Sequence, residues 1–156
     1  MSERNNSGET LFEHAGGQQA LHRYTEVFYR SVLADPLLQP LFGAGRPEHV
    51  AHLTAFTVES FGGPDTFTRE MGGFAHLIAI HRRLEITEEQ RLRFVALYLE
   101  AADKAGLPSD GPFRQALREH IEFGSHVAQQ NSHAKTDEEL HPLREVPIWQ
   151  WSDSSK

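Results

Sequence analysis

His81 is the side chain of this sequence with the clearest chemical prospect. It closes the apolar stretch Leu77-Ile78-Ala79-Ile80-His81, just ahead of Arg82-Arg83-Leu84. Leu77, Ile80, His81 and Leu84 stand at i, i+3, i+4 and i+7, the spacing of one helical face. A neutral imidazole on such a face offers a nitrogen lone pair to whatever the face covers, as an axial ligand to a haem iron does. The same residue would serve equally as a core histidine hydrogen-bonded to a backbone carbonyl, and this segment alone leaves both readings open.

Other chemistries find less support. Ten histidines in 156 residues is a high count, yet they are dispersed, with no His-Glu-x-x-His pattern and no paired zinc ligands. Cysteine is absent, which excludes disulfides, thiolate metal sites, iron–sulfur clusters and a cysteine nucleophile. There is no nucleophile elbow, no close carboxylate–histidine pair at ligand spacing and no phosphate-cradling glycine loop. The formal net charge of −7, with lysines and arginines scattered apart from Arg82-Arg83, opposes a nucleic-acid surface. No apolar run reaches membrane-spanning length, and the first eight residues lack the apolar core of a secretory signal, so a cytoplasmic protein with no membrane partner is expected.

The elements that must position His81 read as helices. Residues 1–8 are polar and expected to be disordered. Leu11 to His14 make one short turn, stopped by Gly16-Gly17. From Gln18 to Leu33, the residues Leu21, Tyr24, Phe28 and Val32 make an apolar stripe. Asp35-Pro36 predicts an N-cap with proline at the first helical position, opening a short helix through Leu41. Pro47 starts a helix to Phe61 with His49, Leu53 and Phe56 on one face, and Gly62-Gly63-Pro64 ends it. Residues 65–73 read as irregular. Thr87 with Gln90 forms a capping box for a long helix to about Ala105, lined by Phe94, Leu97, Tyr98 and Ala101. Asp110 caps the last helix, about Pro112 to Gln130, carrying Phe113, Leu117, Ile121, Gly124 and Ala128. His120 and His126, six residues apart, do not share a face and read as structural or exposed, and His52 as solvated. No period-2 run is long enough for a strand, so the fold class is all-α.

In this order and spacing, Gly16-Gly17, Phe28-Tyr29, Asp35-Pro36, Phe56 to Phe61, Gly62-Gly63-Pro64 and His81 before a long helix resemble the truncated haemoglobins. These are two-over-two helical globins, and the Gly-Gly-Pro junction is most like their group II. The resemblance covers about residues 9–132, leaving residues 133–156 as a C-terminal extension. It implies a globin-like sandwich around a b-type haem, with His81 as the proximal iron ligand. Phe42, Leu53, Phe56, Leu77 and Phe94 would pack on the haem, while Arg82 and His76 would pair with its propionates. Tyr29 matches the distal tyrosine that donates to bound dioxygen, and His49 and Leu53 match two further distal positions. His49 would either substitute as a donor or bind the iron as a sixth ligand. Phe94 departs from the group II pattern, which carries a tryptophan there, and phenylalanine has no polar donor. Read as bare residues, Tyr29 equally fits a buried tyrosine satisfied by a carbonyl, and the phenylalanines fit an ordinary core.

The expected function is therefore a haem protein that binds diatomic gases (dioxygen, carbon monoxide, nitric oxide), serving oxygen transport, nitric oxide dioxygenation or peroxidase-like chemistry. The redox activities would need an external reductase, since the chain carries none. Either a monomer or a homodimer is compatible with the sequence. The alternative is a haem-free globin-like interaction module that docks through Ile148, Trp149 and Trp151 in the extension, although the favoured reading of that tail is that it folds back on its own globule.

Overall fold

In the computed structural model, which describes residues 9–81, 84–139 and 146–149, the regular elements are helical and no strand occurs among the described residues. In chain order they are α1 (Leu11–Ala15), α2 (Gly17–Ala34), α3 (Gln39–Phe42), α4 (Pro47–Ser60), α5 (Thr66–Glu70), α6 (Gly73–His81), α7 (Glu88–Lys104) and α8 (Gly111–Ser132). Local chemistry sets the long boundaries. Thr87 and Gln90 close a reciprocal capping box at α7: the Gln90 amide donates to the Thr87 hydroxyl at 3.0 Å and the Thr87 amide to the Gln90 side chain at 2.9 Å. Asp110 accepts the Phe113 N–H at 3.1 Å and opens α8, with proline in its first turn.

The α2 stripe drives assembly. Leu21, Tyr24, Phe28 and Val32 are all completely buried, each such side chain contributing roughly 1.5–3 kcal/mol of transfer free energy. Helix α2 packs on α4 and α7, and α7 packs on α8, which gives the two-over-two helical sandwich expected from the sequence. Tyr24 and Phe28 meet Tyr98 of α7 edge-on at 5.0 and 5.1 Å between ring centroids. The Tyr24 hydroxyl donates to the Tyr98 carbonyl at 2.8 Å, so its polar tip is satisfied inside the core. On the other side of α2, the Thr25 and Thr54 hydroxyls share a hydrogen bond of 2.6 Å with α4.

Four expectations need correction. Residues 65–73 are not wholly irregular: α5 forms because Phe67 is buried and the Glu59 carboxylate receives the Thr68 amide at 2.9 Å and its hydroxyl. Such an anchor leaves no apolar periodicity to read. The short helix after Asp35 begins at Gln39, with residues 36–38 forming a turn. Asp35 still caps that turn, receiving the Leu37 and Leu38 amides at 2.9 and 3.3 Å. Its other oxygen pairs with Arg93 of α7 at 2.5 Å, which holds the carboxyl below the usual carboxylate range. Leu84 is not helical, although it lines the same cavity as Leu77 and His81, and the chain turns through Glu85 at φ +53°. The Glu85 and Ile86 amides then bond to Ser132 at the end of α8, at 3.2 and 2.9 Å.

The fourth concerns the extension. Trp149 does not project as the docking alternative requires but packs back on the globule, the reading favoured for the tail; its amide donates to the Ser60 carbonyl at 2.7 Å. Its ring packs edge-on against Phe123 and His120, with centroids at 5.8 and 6.2 Å, while Ile148 remains exposed. Trp151 and residues 1–8 lie outside the described residues.

Gly63 lies where α4 meets α1, and a Cβ there would come within 2.7 Å of Val58 Cγ1 and 2.8 Å of Phe12 Cδ1. Gly63→Ala is expected to destabilise the fold by about 1–3 kcal/mol, the usual cost of overpacking. Gly124→Ala, within α8 and with nothing inside 4 Å of the added carbon, is expected instead to stabilise it by about 0.5–1 kcal/mol. Urea unfolding of both variants checks the contrast.

Candidate functional site

A cavity of about 410 Å³ is enclosed by α3, α4, α6, α7, α8 and the 146–149 segment, a size typical of sites for small molecules and cofactors. Helix α4 lines it with His49, Leu53 and Phe56, α6 with Leu77 and His81, α7 with Phe94, and α3 with Phe42. The structure thus brings these predicted residues to one wall system. Arg82 and the side chain of His76 lie outside the described residues.

His81 Nδ1 sits 2.7 Å from the Leu77 carbonyl, one turn earlier in α6. A carbonyl only accepts, so Nδ1 carries the proton and Nε2 keeps its lone pair. Burial pushes the His81 pKa below the usual histidine value, the bond to Leu77 offsetting this only in part, so the ring is neutral. A neutral imidazole with one nitrogen tied to backbone and the other unprotonated in an apolar cavity is a metal donor.

His49 is arranged in the opposite sense. The Tyr29 hydroxyl receives the Arg46 N–H at 3.1 Å and is hydrogen-bonded to His49 Nδ1. Burial, followed by the neighbouring Arg46 charge, lowers the His49 pKa and keeps this ring neutral as well. Its single proton then sits on Nε2 if Nδ1 receives the tyrosine proton, for which no other acceptor exists among the described residues. Tyr29 itself does not line the cavity; it is buried behind His49 and acts through it. Phe42 stands edge-on to both rings at 5.7 Å. Phe94 packs against Phe28 at 4.9 Å and brings no donor.

Sequence reasoning missed part of this wall. His120 lies in it, 3% exposed and edge-on or tilted to Phe56, Phe61, Tyr98 and Trp149. The signal was present: His120 is seven residues beyond Phe113 and three beyond Leu117, on the inner face of α8. Burial pushes its pKa down to about 4. His52, expected in solvent, also lines the cavity, with its ring 6.5 Å from Phe67. Trp149 carries no local pattern that places it there. Arg91 lines the cavity too, paired with Glu88 at 2.9 Å and Glu122 at 3.4 Å.

Among the described residues no group of three or more His, Cys, Asp or Glu is placed to hold a bare metal ion. One neutral nitrogen donor inside mainly apolar walls suits instead a metal that arrives in its own macrocycle. The residues present fit a haem. No helix of the described residues is long and apolar enough to cross a membrane.

Comparison with known proteins places these features in context. The model of the bacterial-like globin family matches residues 10–131. No curated protein matches the chain. Among solved structures, the chain is similar to the haemoglobin of the thermophilic phototrophic bacterium Chloroflexus aurantiacus, with 28% identity, a TM-score of 0.68, and 76% of this chain and 96% of that one covered. It is similar to the group II truncated haemoglobin of Bacillus anthracis, with 26% identity, a TM-score of 0.71, and coverage of 87% and 99%. The truncated oxygen-avid haemoglobin of Bacillus subtilis shares 27% identity at a TM-score of 0.67, with 76% and 97% covered.

His120 has a measurable consequence. Between its ordinary pKa of 6.5 and about 4, the unfolded chain binds a proton at this ring that the folded chain does not. Stability is therefore lost as pH falls through that window, by a total on the order of 3 kcal/mol. His120→Phe is expected to flatten this part of the profile, as read from urea unfolding at pH 7 and pH 4.5.

Proposed function

The chain belongs to the bacterial-like globin family, whose members are haem proteins that bind gas ligands, and we propose that this one holds a b-type haem through His81 and binds dioxygen on the side served by His49. The observation that carries the reading is the 2.7 Å bond from His81 Nδ1–H to the Leu77 carbonyl, which frees Nε2 as the donor. With no cysteine in the sequence, a covalently attached c-type haem has no thioether partner, which supports the b type. When bound, the haem supplies an iron with one coordination position open to a diatomic ligand.

The chain's own residues then set how a ligand is kept. His49 presents an Nε2–H rather than a lone pair, so it serves as a hydrogen-bond donor and not as a sixth ligand. Tyr29 enforces that choice by supplying the proton that Nδ1 receives, and Arg46 N–H holds the hydroxyl in place. A charge-assisted hydrogen bond of this kind is worth about 1.5–3 kcal/mol. Leu53, Phe56, Leu77 and Phe94 keep water away and the local dielectric low, which strengthens the bond from His49. With Phe94 contributing no second donor, retention rests on His49 alone, and faster exchange of dioxygen suits delivery or sensing better than storage. Nitric oxide dioxygenation and peroxide reduction are activities of the same site, and each takes its electrons from a separate reductant.

The first test is the absorption spectrum of purified protein, ferric and then dithionite-reduced, for wild type and His81→Ala. Intense haem bands in the wild type that weaken or shift in the variant are expected; a wild type that takes up no haem even on reconstitution overturns the reading. The two distal residues are separated by different measurements. His49→Leu is expected to release dioxygen at least about tenfold faster in stopped flow, since about 1.4 kcal/mol is a factor of ten. Tyr29→Phe frees His49 Nδ1 to take the proton, which turns Nε2 into a ligand, and the reduced spectrum is expected to shift toward a six-coordinate form.

A further inference from the structure

The wall contributed by α8 and the 146–149 segment holds polar atoms that the gas-binding reading does not use. His120 is 3% exposed, lines the cavity, and its Nδ1 is buried without a hydrogen-bond partner in the protein. The indole Nε1 of Trp149, on the same wall, is buried without a partner as well. The two rings stand at 87° with centroids 6.2 Å apart. Ser60 is completely buried, its hydroxyl has no partner, and its carbonyl already fixes the Trp149 backbone at 2.7 Å. Buried polar groups are almost always satisfied, and two orphaned nitrogens on one cavity wall are a recognition pattern.

We infer that this end of the cavity binds one small, neutral, protic molecule, of one or two heavy atoms, held between His120 Nδ1 and the indole N–H of Trp149. Each property of the ligand follows from the wall. An indole N–H only donates, so the ligand must accept. In the tautomer that leaves Nδ1 without a proton, the neutral imidazole receives the ligand's own proton, so the ligand also donates. Charge is excluded because the ring neighbours of His120 are Phe56, Phe61, Tyr98 and Trp149, and Arg91 is already neutralised by Glu88 and Glu122. A carboxylate or an ammonium ion would have no counter-charge there. Its ring contacts are not shared with His49 and Tyr29, whose ring neighbour is Phe42, and it depends on the extension, which supplies Trp149.

The test uses the whole chain as purified, with Trp151→Phe so that a single indole remains, labelled with ¹⁵N and reduced under carbon monoxide so that any iron is diamagnetic. The probes are water itself and methanol. A slow-exchange water-to-indole NOE at Trp149 Nε1–H is expected, replaced by a methyl NOE as methanol is added. His120→Phe is expected to weaken the water contact several-fold, and His120→Gln, which keeps an acceptor, to retain it. An indole N–H that sees neither water nor methanol, yet shifts under xenon pressure, would mark a dry apolar pocket and overturn the inference. A water contact unchanged in His120→Phe would also overturn it. The water and xenon measurements decide without either His120 variant, and the absorption spectrum of the same sample reports haem binding separately.

Discussion

The position of one proton governs this cavity. His81 can act as a donor only if Nδ1 keeps its hydrogen, and the Leu77 carbonyl secures that by accepting it at 2.7 Å. Everything nearby serves this bond. The ring of His81 sits over the carbonyl four residues back in α6. The chain then has to leave without pulling the ring away, and Glu85 and Ile86 do so by bonding to Ser132 at the end of α8. His133 adds a bond from its ring to the Ile86 carbonyl at 2.7 Å. The apolar walls complete the arrangement, since an imidazole held neutral keeps its lone pair at physiological pH.

The other end of the cavity has the same logic with the sign reversed. The Tyr29 hydroxyl, itself held by the Arg46 N–H, is hydrogen-bonded to His49 Nδ1, and on the proposed tautomers one histidine offers electrons and the other a proton. Backbone geometry makes this approach workable. Gly45 has φ +86°, and a Cβ there would lie 3.2 Å from the Tyr29 hydroxyl and 2.7 Å from Leu33 Cδ1. Glycine is required on both counts, conformation and space. The polar machinery of the site is thus a pair of histidines, each held at Nδ1 by a single hydrogen-bond partner.

How much of this could be read from the sequence divides along the range of the interactions. The Thr87–Gln90 capping box, the α2 stripe and the glycine stops are local, and the structure reproduces them. The face shared by His49, Leu53 and Phe56 was legible for the same reason. Asp35 was half legible: its capping role is local, but its partner Arg93 lies 58 residues away and the turn at residues 36–38 does not extend the helix. α5 was invisible because a single buried Phe67 and a carboxylate from α4 hold it. Positions were legible at Tyr29 and His49 but proton assignments were not, since those depend on Arg46 and on the depth of each ring. His120 was hidden by comparison with the wrong neighbour; set against Phe113 rather than His126, its inward direction is plain. Trp149 could not be placed at all, because tail packing leaves no period.

The seating of Trp149 on Ser60 also fixes an order of events at the ribosome. Every other lining residue of the cavity lies at or before Asn131, so Pro147 and Trp149 are the last pieces of its wall to be synthesised. At about 5–20 residues per second, the seventeen residues from His133 to Trp149 take roughly 1–3 s to add. During that interval the rest of the helical framework has been made while this side of the cavity still stands open. A bulky guest has its widest entrance then, and the seating of Trp149 on Ser60 shuts the door behind it.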